Sequence, residues 1–520
     1  MSTDETAEAR PRRWRLRGLY PAAVCLLIAA IAFAHLYRLP AVPRGLYFDE
    51  CSIGLNAALV AAGGRDEHEV FLPVFFESFG NLKNPLYVYA TALLFALAGP
   101  SDGGLRAVSA LFFAAFLAGL WALARRLFPG SRATALYALA AGGFLPWFFT
   151  LSRIAFEAIT QVPVAVWSLV LAHRVYEDGE QGRPLAAAAG LGLVAGLSLY
   201  SYTTARLLTF LFVLSLLAIY RERRYLRRHA AMLAAFAVGC LPYLAFALAH
   251  PGALQKRFNR ISFLTDPGTS AGAKLAQLAR QYLESFTPSF LLLSGDANRR
   301  HSTGLTGEIF VTVAVLAAVG LAWMARRALR ADRFAGLLLA NAIVSPLGMA
   351  LTEPQHALRG VLLGLYLLVA SCYGLALLAE TERPRWRRAA LLAVALGLAL
   401  ESGHLVLAYF GPYAAASEEA FLSYDFEGLV ETAWKGGARE IVVVPRPRVF
   451  YALPDFYRQT RRPPPPLRTG PPIAAPGTCL VYFLDDLRIG DGDRYPSQLL
   501  GAGHQTLMRC YALPPMKEPG

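Results

Sequence analysis

Two carboxylates stand side by side in "RGLYFDECSIG", Asp49 and Glu50, and a third, Glu157, follows in "TLSRIAFE". Cations and imidazoles recur in comparable short stretches: Lys83 in "NLKNPLY", Arg153, Arg206, His301, and His356 with Arg359 in "PQHALRG". Separate acidic sites with several cations suit a reaction that deprotonates a hydroxyl and displaces a phosphate. A carboxylate takes the proton, while Lys and Arg offset charge on the leaving phosphate, Arg as a bidentate fork. The competing reading makes each residue a solvated helix end, with Asp49 complementing the N-terminus of the helix that follows it.

The elements that position these residues are set by the solvent. Of 520 residues 55% are hydrophobic and 17% charged, and the mean hydropathy is +0.40. Apolar stretches recur from the N-terminus to about Phe410, each near the roughly 20 residues that cross about 30 Å of hydrocarbon. The chain reads as a polytopic α-helical membrane protein. Its first run, "LYPAAVCLLIAAIAFAHLY", follows "RPRRWRLR" with no small-residue cleavage site after it, and so reads as a retained helix rather than a signal peptide.

Basic loops set the phase of the helices. "RPRRWRLR", "ARRLFPGSR", "HRVYEDGEQGR", "RERRYLRRH", "ARRALRADR" and "ERPRWRR" belong on the cytoplasmic side. These loops absorb nearly all of the formal net charge of +14, so the charge does not indicate nucleic acid. The alternation closes only if "NPLYVYATALLFALAG" stays at the outer side as a juxtamembrane or re-entrant helix. That arrangement predicts about eleven transmembrane helices. It comprises a cytoplasmic tail over 1–18 and a membrane domain over 19–410 with outer loops 39–103 and 250–306. A periplasmic domain follows over 411–520.

That last segment carries short apolar runs, "EIVVV" and "CLVYFL", on either side of "RRPPPPLRTGPP". Such runs are too short to span as helices and predict strands of a small α/β domain. Its two cysteines, Cys479 and Cys510, are able to pair if the segment lies in an oxidising compartment. No cysteine spacing suggests zinc, and "RDEHE" with Glu67 and His68 falls short of a zinc ligand set, so neither metal nor cofactor is expected.

The chain from about Arg44 to His404 resembles the GT-C glycosyltransferases, specifically the protein O-mannosyltransferase and aminoarabinose transferase-like group of glycosyltransferase family 39. The resemblance rests on "YFDE", "GRDEHEVFLPVFFESFGNLKNPLYVYATALLFALAG", "RAVSALFFAAF", "LPWFFTLSRIAFEA", "GLSLYSYTTARLL" and "PQHALRG", in that order. It implies the GT-C fold and an inverting transferase that uses a polyprenyl-phosphate sugar at the outer face of the inner membrane. By the same resemblance Asp49 is the catalytic base, Glu50 completes the acidic pair, and Glu157 orients acceptor or donor. Lys83 matches a Lys-Pro neighbourhood that contacts the donor phosphate, although Asn84 here separates Lys from Pro. Arg153 and Arg359 are further phosphate candidates, and Tyr47, Tyr202, Arg206, His301 and His356 are candidates for the substrate pocket.

Two other classes compete. A transporter or flippase of a lipid-linked sugar also suits many spans, and Pro163 and Pro242 interrupt helices, but no repeated halves are visible. A scaffold accounts for the C-terminal domain and leaves Asp49, Glu157 and Lys83 unexplained. The acceptor, whether lipid, protein or polysaccharide, and the sugar are not encoded in any motif. The stretch 250–306 is longer than a passive connection needs and is expected to form part of the donor entrance or a mobile lid.

Overall fold

The computed structural model describes residues 13–178, 183–421, 424–443, 452–460, 466–469, 478–483, 498–500 and 506–510. The expected tail over 1–18 and the Pro-rich stretch "RRPPPPLRTGPP" fall largely outside them.

Among the described residues, seven helices are long and apolar enough to cross a bilayer: 102–127, 157–176, 223–249, 311–329, 333–350, 357–379 and 384–416. Four shorter apolar helices accompany them, 20–36, 85–98, 184–198 and 203–219. The chain is a multi-pass membrane protein. Helix Ala357–Ala379 runs through the middle, with 89% of its apolar window buried. Two helix pairs pack at backbone contact because glycine leaves the space. A Cβ on Gly192 would meet the Met232 carbonyl oxygen at 2.1 Å, and one on Gly320 would meet that of Ala370 at 1.7 Å. In lipid, where the hydrophobic effect does not drive helices together, such close approach supplies the dispersion that does.

The connection that follows the first apolar helix carries most of the candidate site. Helix α1 (Arg13–Leu36) leads to α2 (Phe48–Gly63). A hairpin follows, β1 (Phe76–Ser78) paired antiparallel with β2 (Asn81–Lys83). Phe79 and Gly80 turn it with φ of 55° and 70°, the two positive values that a type I′ turn needs. Helix α3 (Pro85–Ala98) has 14 residues, about 21 Å at 1.5 Å per residue and short of the hydrocarbon core. Helix α4 (Asp102–Leu127) starts on Ser101, whose hydroxyl accepts the Gly104 N–H, and has Arg125 and Arg126 in its last turn.

Four of the basic loops gather at one end of the bundle. Leu127, His173, Glu177, Arg224, Arg228, Arg327 and Arg333 line a hollow of about 580 Å³ there. Arg126 pairs with Asp178 at 2.5 Å, and Arg333 pairs with Glu222.

Past the helix Pro384–Phe410, strands β3 (Glu440–Val443), β4 (Leu467–Thr469), β5 (Thr478–Phe483), β6 (Gln498–Leu500) and β7 (Thr506–Cys510) form one sheet of order β4-β3-β5-β7-β6. The pairings of β3 with β4 and β5 are parallel, and those of β7 with β5 and β6 antiparallel. Cys479 is disulfide-bonded, and its Cα partner across the β5–β7 ladder is Cys510. Helix Ala452–Thr460 rests on α2, where the Phe456 ring lies so near Gly54 that a Cβ there would come within 2.5 Å of it.

Candidate active site

Asp49 and Glu50 occupy the first turn of α2, about 100° apart around the axis, so one faces a cleft and the other the core. The Asp49 side chain is 37% exposed and its Oδ1 pairs with the Lys83 ammonium at the end of β2. Burial pushes the Asp49 carboxyl up; Lys83, followed by Arg257 and Arg300, outweighs it and holds the group below its ordinary value.

Glu50 is fully buried. Its Oε1 accepts from Arg106 Nε at 3.0 Å and from the Ala155 N–H at 2.9 Å. Its Oε2 accepts from the Tyr47 N–H at 2.9 Å and from an Arg106 terminal nitrogen at 3.2 Å. Arg106 donates in turn to the carbonyls of Pro43 and Gly45. The pair ties the approach to α2, helix α4 and the 153–157 turn into one block.

Glu157 lies on that turn, and both its oxygens face one residue. Oε1 accepts the Asn84 N–H at 2.7 Å and Oε2 the Asn84 side-chain amide at 2.8 Å. Asn84 Oδ1 accepts from Arg206 at 2.9 Å. The residue that interrupts Lys-Pro is therefore the clamp joining hairpin, turn and the helix Thr203–Ile219. Replacing Asn84 by Ala keeps the backbone N–H bond to Glu157 but strips the side-chain one from that buried carboxylate and one from Arg206. The expected loss is about 3 kcal/mol of stability, read as a lowered Tm in detergent. Asn84→Asp is expected to be worse because it sets two carboxylates against each other; an unchanged Tm in both would remove the clamp.

Beside these groups Leu82, Glu157, Tyr202, Thr204, Arg257 and Arg359 line a cavity of about 100 Å³. It adjoins a wider cleft of about 440 Å³ that shares Leu82, Thr203 and Arg257 and adds Arg206, His250 and Lys256. The Arg359 guanidinium is held by Thr352 at 3.0 Å and Glu353 at 3.3 Å. The 250–306 stretch lies against the site: Arg257 lines both cavities, and the Arg300 guanidinium sits 4.0 Å from the centre of the Tyr47 ring. His301 and His356 stack at 4.8 Å, and His301 meets the Phe156 ring edge-on at 6.0 Å.

Arg153 is placed elsewhere than expected. It is fully buried, and its terminal nitrogens donate to the carbonyls of Ala34, His35, Tyr37 and Val42 at 2.7 to 3.2 Å. The first two are unpaired carbonyls at the end of α1, which a guanidinium satisfies well. With rings of Tyr409 and Phe410 over it at 5.1 and 4.8 Å, it has no face left for a phosphate. The "RDEHE" residues are likewise engaged: Glu67 accepts from Asn56 and Ser78, and His68 reaches the Glu77 carbonyl.

Sequence reasoning missed Asn84, Arg106, Arg257 and Arg300. Arg106 stood in the stretch "RAVSALFFAAF" with no sign of its carboxylate partner; Arg257 and Arg300 stood in the long 250–306 stretch without any fixed spacing.

Residues 83–247 match the family model of dolichyl-phosphate-mannose-protein mannosyltransferases. Comparison with curated protein sequences gives no match. Among solved structures, ArnT from Cupriavidus metallidurans in the apo state is 14% identical, covering 94% of this chain and 97% of its own, with a TM-score of 0.57. The same protein bound to undecaprenyl phosphate is 15% identical, covering 93% and 97%, with a TM-score of 0.56. The oligosaccharyltransferase AglB from Archaeoglobus fulgidus, in complex with an inhibitory peptide and a dolichol-phosphate, is 14% identical, covering 85% of this chain and 63% of its own, with a TM-score of 0.54. At such identities the likeness is one of fold. The matched segment begins at Lys83 and contains Asn84, Glu157, Tyr202 and Arg206. The chain is thus similar over 83–247 to the dolichyl-phosphate-mannose-protein mannosyltransferases, and in fold to ArnT and AglB.

Proposed function

We propose that the protein is an inverting glycosyltransferase that moves a sugar from a polyprenyl-phosphate donor to an acceptor hydroxyl at the outer face of the inner membrane. The observation that carries this reading is the meeting of Asp49, Lys83 and Glu157, from three separate segments, beside a cavity bearing Arg257 and Arg359. The polyprenyl-phosphate class is carried over from the lipids bound to ArnT and AglB. In this reading about eleven helices cross the membrane, and the basic hollow faces the cytoplasm. The acidic site and the C-terminal α/β domain lie outside, where the Cys479 disulfide has an oxidising surrounding.

In the reaction the acceptor oxygen gives its proton to Asp49 and attacks the anomeric carbon from the side opposite the phosphate. The new C–O bond forms as the bond to the phosphate oxygen breaks, and the phosphate leaves with the electron pair. Lys83, Arg257 and Arg359 offset the charge that develops there. Lys83 serves both ends: as the phosphate draws its ammonium, Asp49 loses its strongest acid-making neighbour and becomes the better base. Glu157, locked through Asn84, fixes where Lys83 and Asn84 sit. Arg153 and Glu50 hold the block from behind rather than touching substrate. Tyr47 and Tyr202 form walls of the pocket.

The test is to incubate membranes containing the protein with a set of polyprenyl-phosphate sugars and analyse lipids, proteins and polysaccharide by mass spectrometry. One donor is expected to be consumed, with free polyprenyl phosphate released and one acceptor class gaining the mass of a sugar. Movement of the lipid-linked sugar across proteoliposomes with no transferred product would instead make the protein a flippase.

A further inference from the structure

Behind the cleft, Asp296, His301 and His356 bring three metal-ligating side chains together from two distant segments. Each offers one ligand atom, and these atoms lie within 4.8 Å of one another. Asp296 and His301 are 7% and 6% exposed. The Asp296 carboxylate is held before any ligand arrives: Oδ1 accepts the Asn298 N–H at 2.8 Å, and Oδ2 accepts the Ala357 N–H at 2.9 Å. The turn itself is fixed by buried Glu308, which accepts the Asp296 N–H at 2.9 Å. His301 Nδ1 stands 2.8 Å from Asp296 Oδ2. His356 Nδ1 is enclosed without a hydrogen-bond partner, a costly state for a buried polar atom.

We infer that Asp296, His301 and His356 form a binding site for a zinc-class divalent cation, which pins the 296–301 turn to the start of the helix Ala357–Ala379. Two imidazoles and one carboxylate are the ligand types of borderline ions such as Zn²⁺, whereas Mg²⁺ and Ca²⁺ take oxygen. Zinc–ligand bonds of about 2.0–2.2 Å hold tetrahedral ligand atoms about 3.3 Å apart. The Asp296 and His301 atoms, now 2.8 Å apart, need open only slightly to admit the ion, and the larger adjustment falls on His356. Its ring faces the nearby Arg359 and Arg257 charges, of which Arg359 is paired with Glu353. Three protein ligands leave a fourth position for water.

The site has a consequence for the cleft, because each ligating segment also carries a cation of the pocket. Arg300, over Tyr47, directly precedes His301, and Arg359 follows His356 by one helical turn. A metal there fixes both arms without taking part in transfer. This inference stands apart from the proposed activity, and its readout is metal content.

The test uses the full-length protein in detergent, carrying a tag without histidine. The protein is stripped with a chelator, exposed to Zn²⁺, desalted and analysed by plasma mass spectrometry. About one zinc per chain is expected to remain, and chelation is expected to lower the Tm of the wild type. His301→Ala with His356→Ala is expected to retain less than a fifth of that zinc and to show a Tm that the chelator does not move. Asp296→Asn, which keeps the shape of the side chain and both imidazoles, is expected to weaken zinc retention at least tenfold. A wild type that retains no zinc, or a double variant that retains as much as the wild type, overturns the site.

Discussion

Asp49→Asn is expected to lower sugar transfer by about 10²- to 10⁴-fold, the worth of a positioned general base, while the protein stays folded in the membrane. Asn keeps the size of the side chain and still accepts a hydrogen bond from Lys83, but it cannot take the acceptor's proton. The carboxylate is 37% exposed, so its loss leaves no cavity. The pH dependence identifies the group further. Burial raises the Asp49 carboxyl, and Lys83 leads the cations that bring it below its ordinary value. The ionised base therefore persists as pH falls through the usual carboxylate range, and the acid limb of kcat/KM lies below that range. Removing Lys83 by Lys83→Met leaves burial less opposed, so the limb is expected to move to higher pH as well as the rate falling. The ion pair's contribution to stability has the same sign, being full above the unfolded-chain value and lost as pH falls through the folded one. Transfer by Asp49→Asn within tenfold of wild type would remove Asp49 as the base.

The helical membrane architecture was legible because lipid imposes long apolar runs, and four basic loops do share one end of the bundle. The candidate site was legible only as a set of residue types, of which Asp49, Lys83, Glu157, Tyr202 and Arg359 lie near one another. What could not be read was which way each charged side chain turns. Asp49 and Glu50 are adjacent in sequence, yet one helical step separates a cleft from a core. Arg153 and Lys83 are both boundary cations, and only the free carbonyls at the end of α1 distinguish the one that caps from the one that reaches Asp49. Asn84 looked like an interruption because its worth lies in contacts with Glu157 and Arg206, far along the chain. His301 and His356 were singled out separately, and nothing in their spacing revealed that they stack over Asp296.

Breaking the Glu50–Arg106 pair is expected to have the largest effect on folding. Both side chains are fully buried, and the carboxylate meets this guanidinium at two points. Removing one partner of such a pair costs about 3–5 kcal/mol, because it strands the other charge in a low-dielectric interior. Glu50→Ala also leaves the N–H groups of Tyr47 and Ala155 without an acceptor, so it is expected at the upper end of that range. Arg106→Met fills much of the volume but exposes the Glu50 carboxylate to burial alone, with a cost of similar size. The double replacement, Glu50→Ala with Arg106→Met, strands no charge and is expected to be more stable than the sum of the single losses predicts. Unfolding in detergent followed by intrinsic fluorescence measures all three. Single variants within about 1 kcal/mol of wild type would mean that the pair does not hold the block together. The contrast with Asp49 is the sharper outcome. Glu50→Gln keeps the shape and loses the charge, so the molecules that do fold are expected to transfer at close to the wild-type rate. Asp49→Asn is expected to lose its rate while giving up no more Tm than the Lys83 ion pair supplies, and that crossed result separates a carboxylate proposed to do chemistry from the one beside it that holds the site in place.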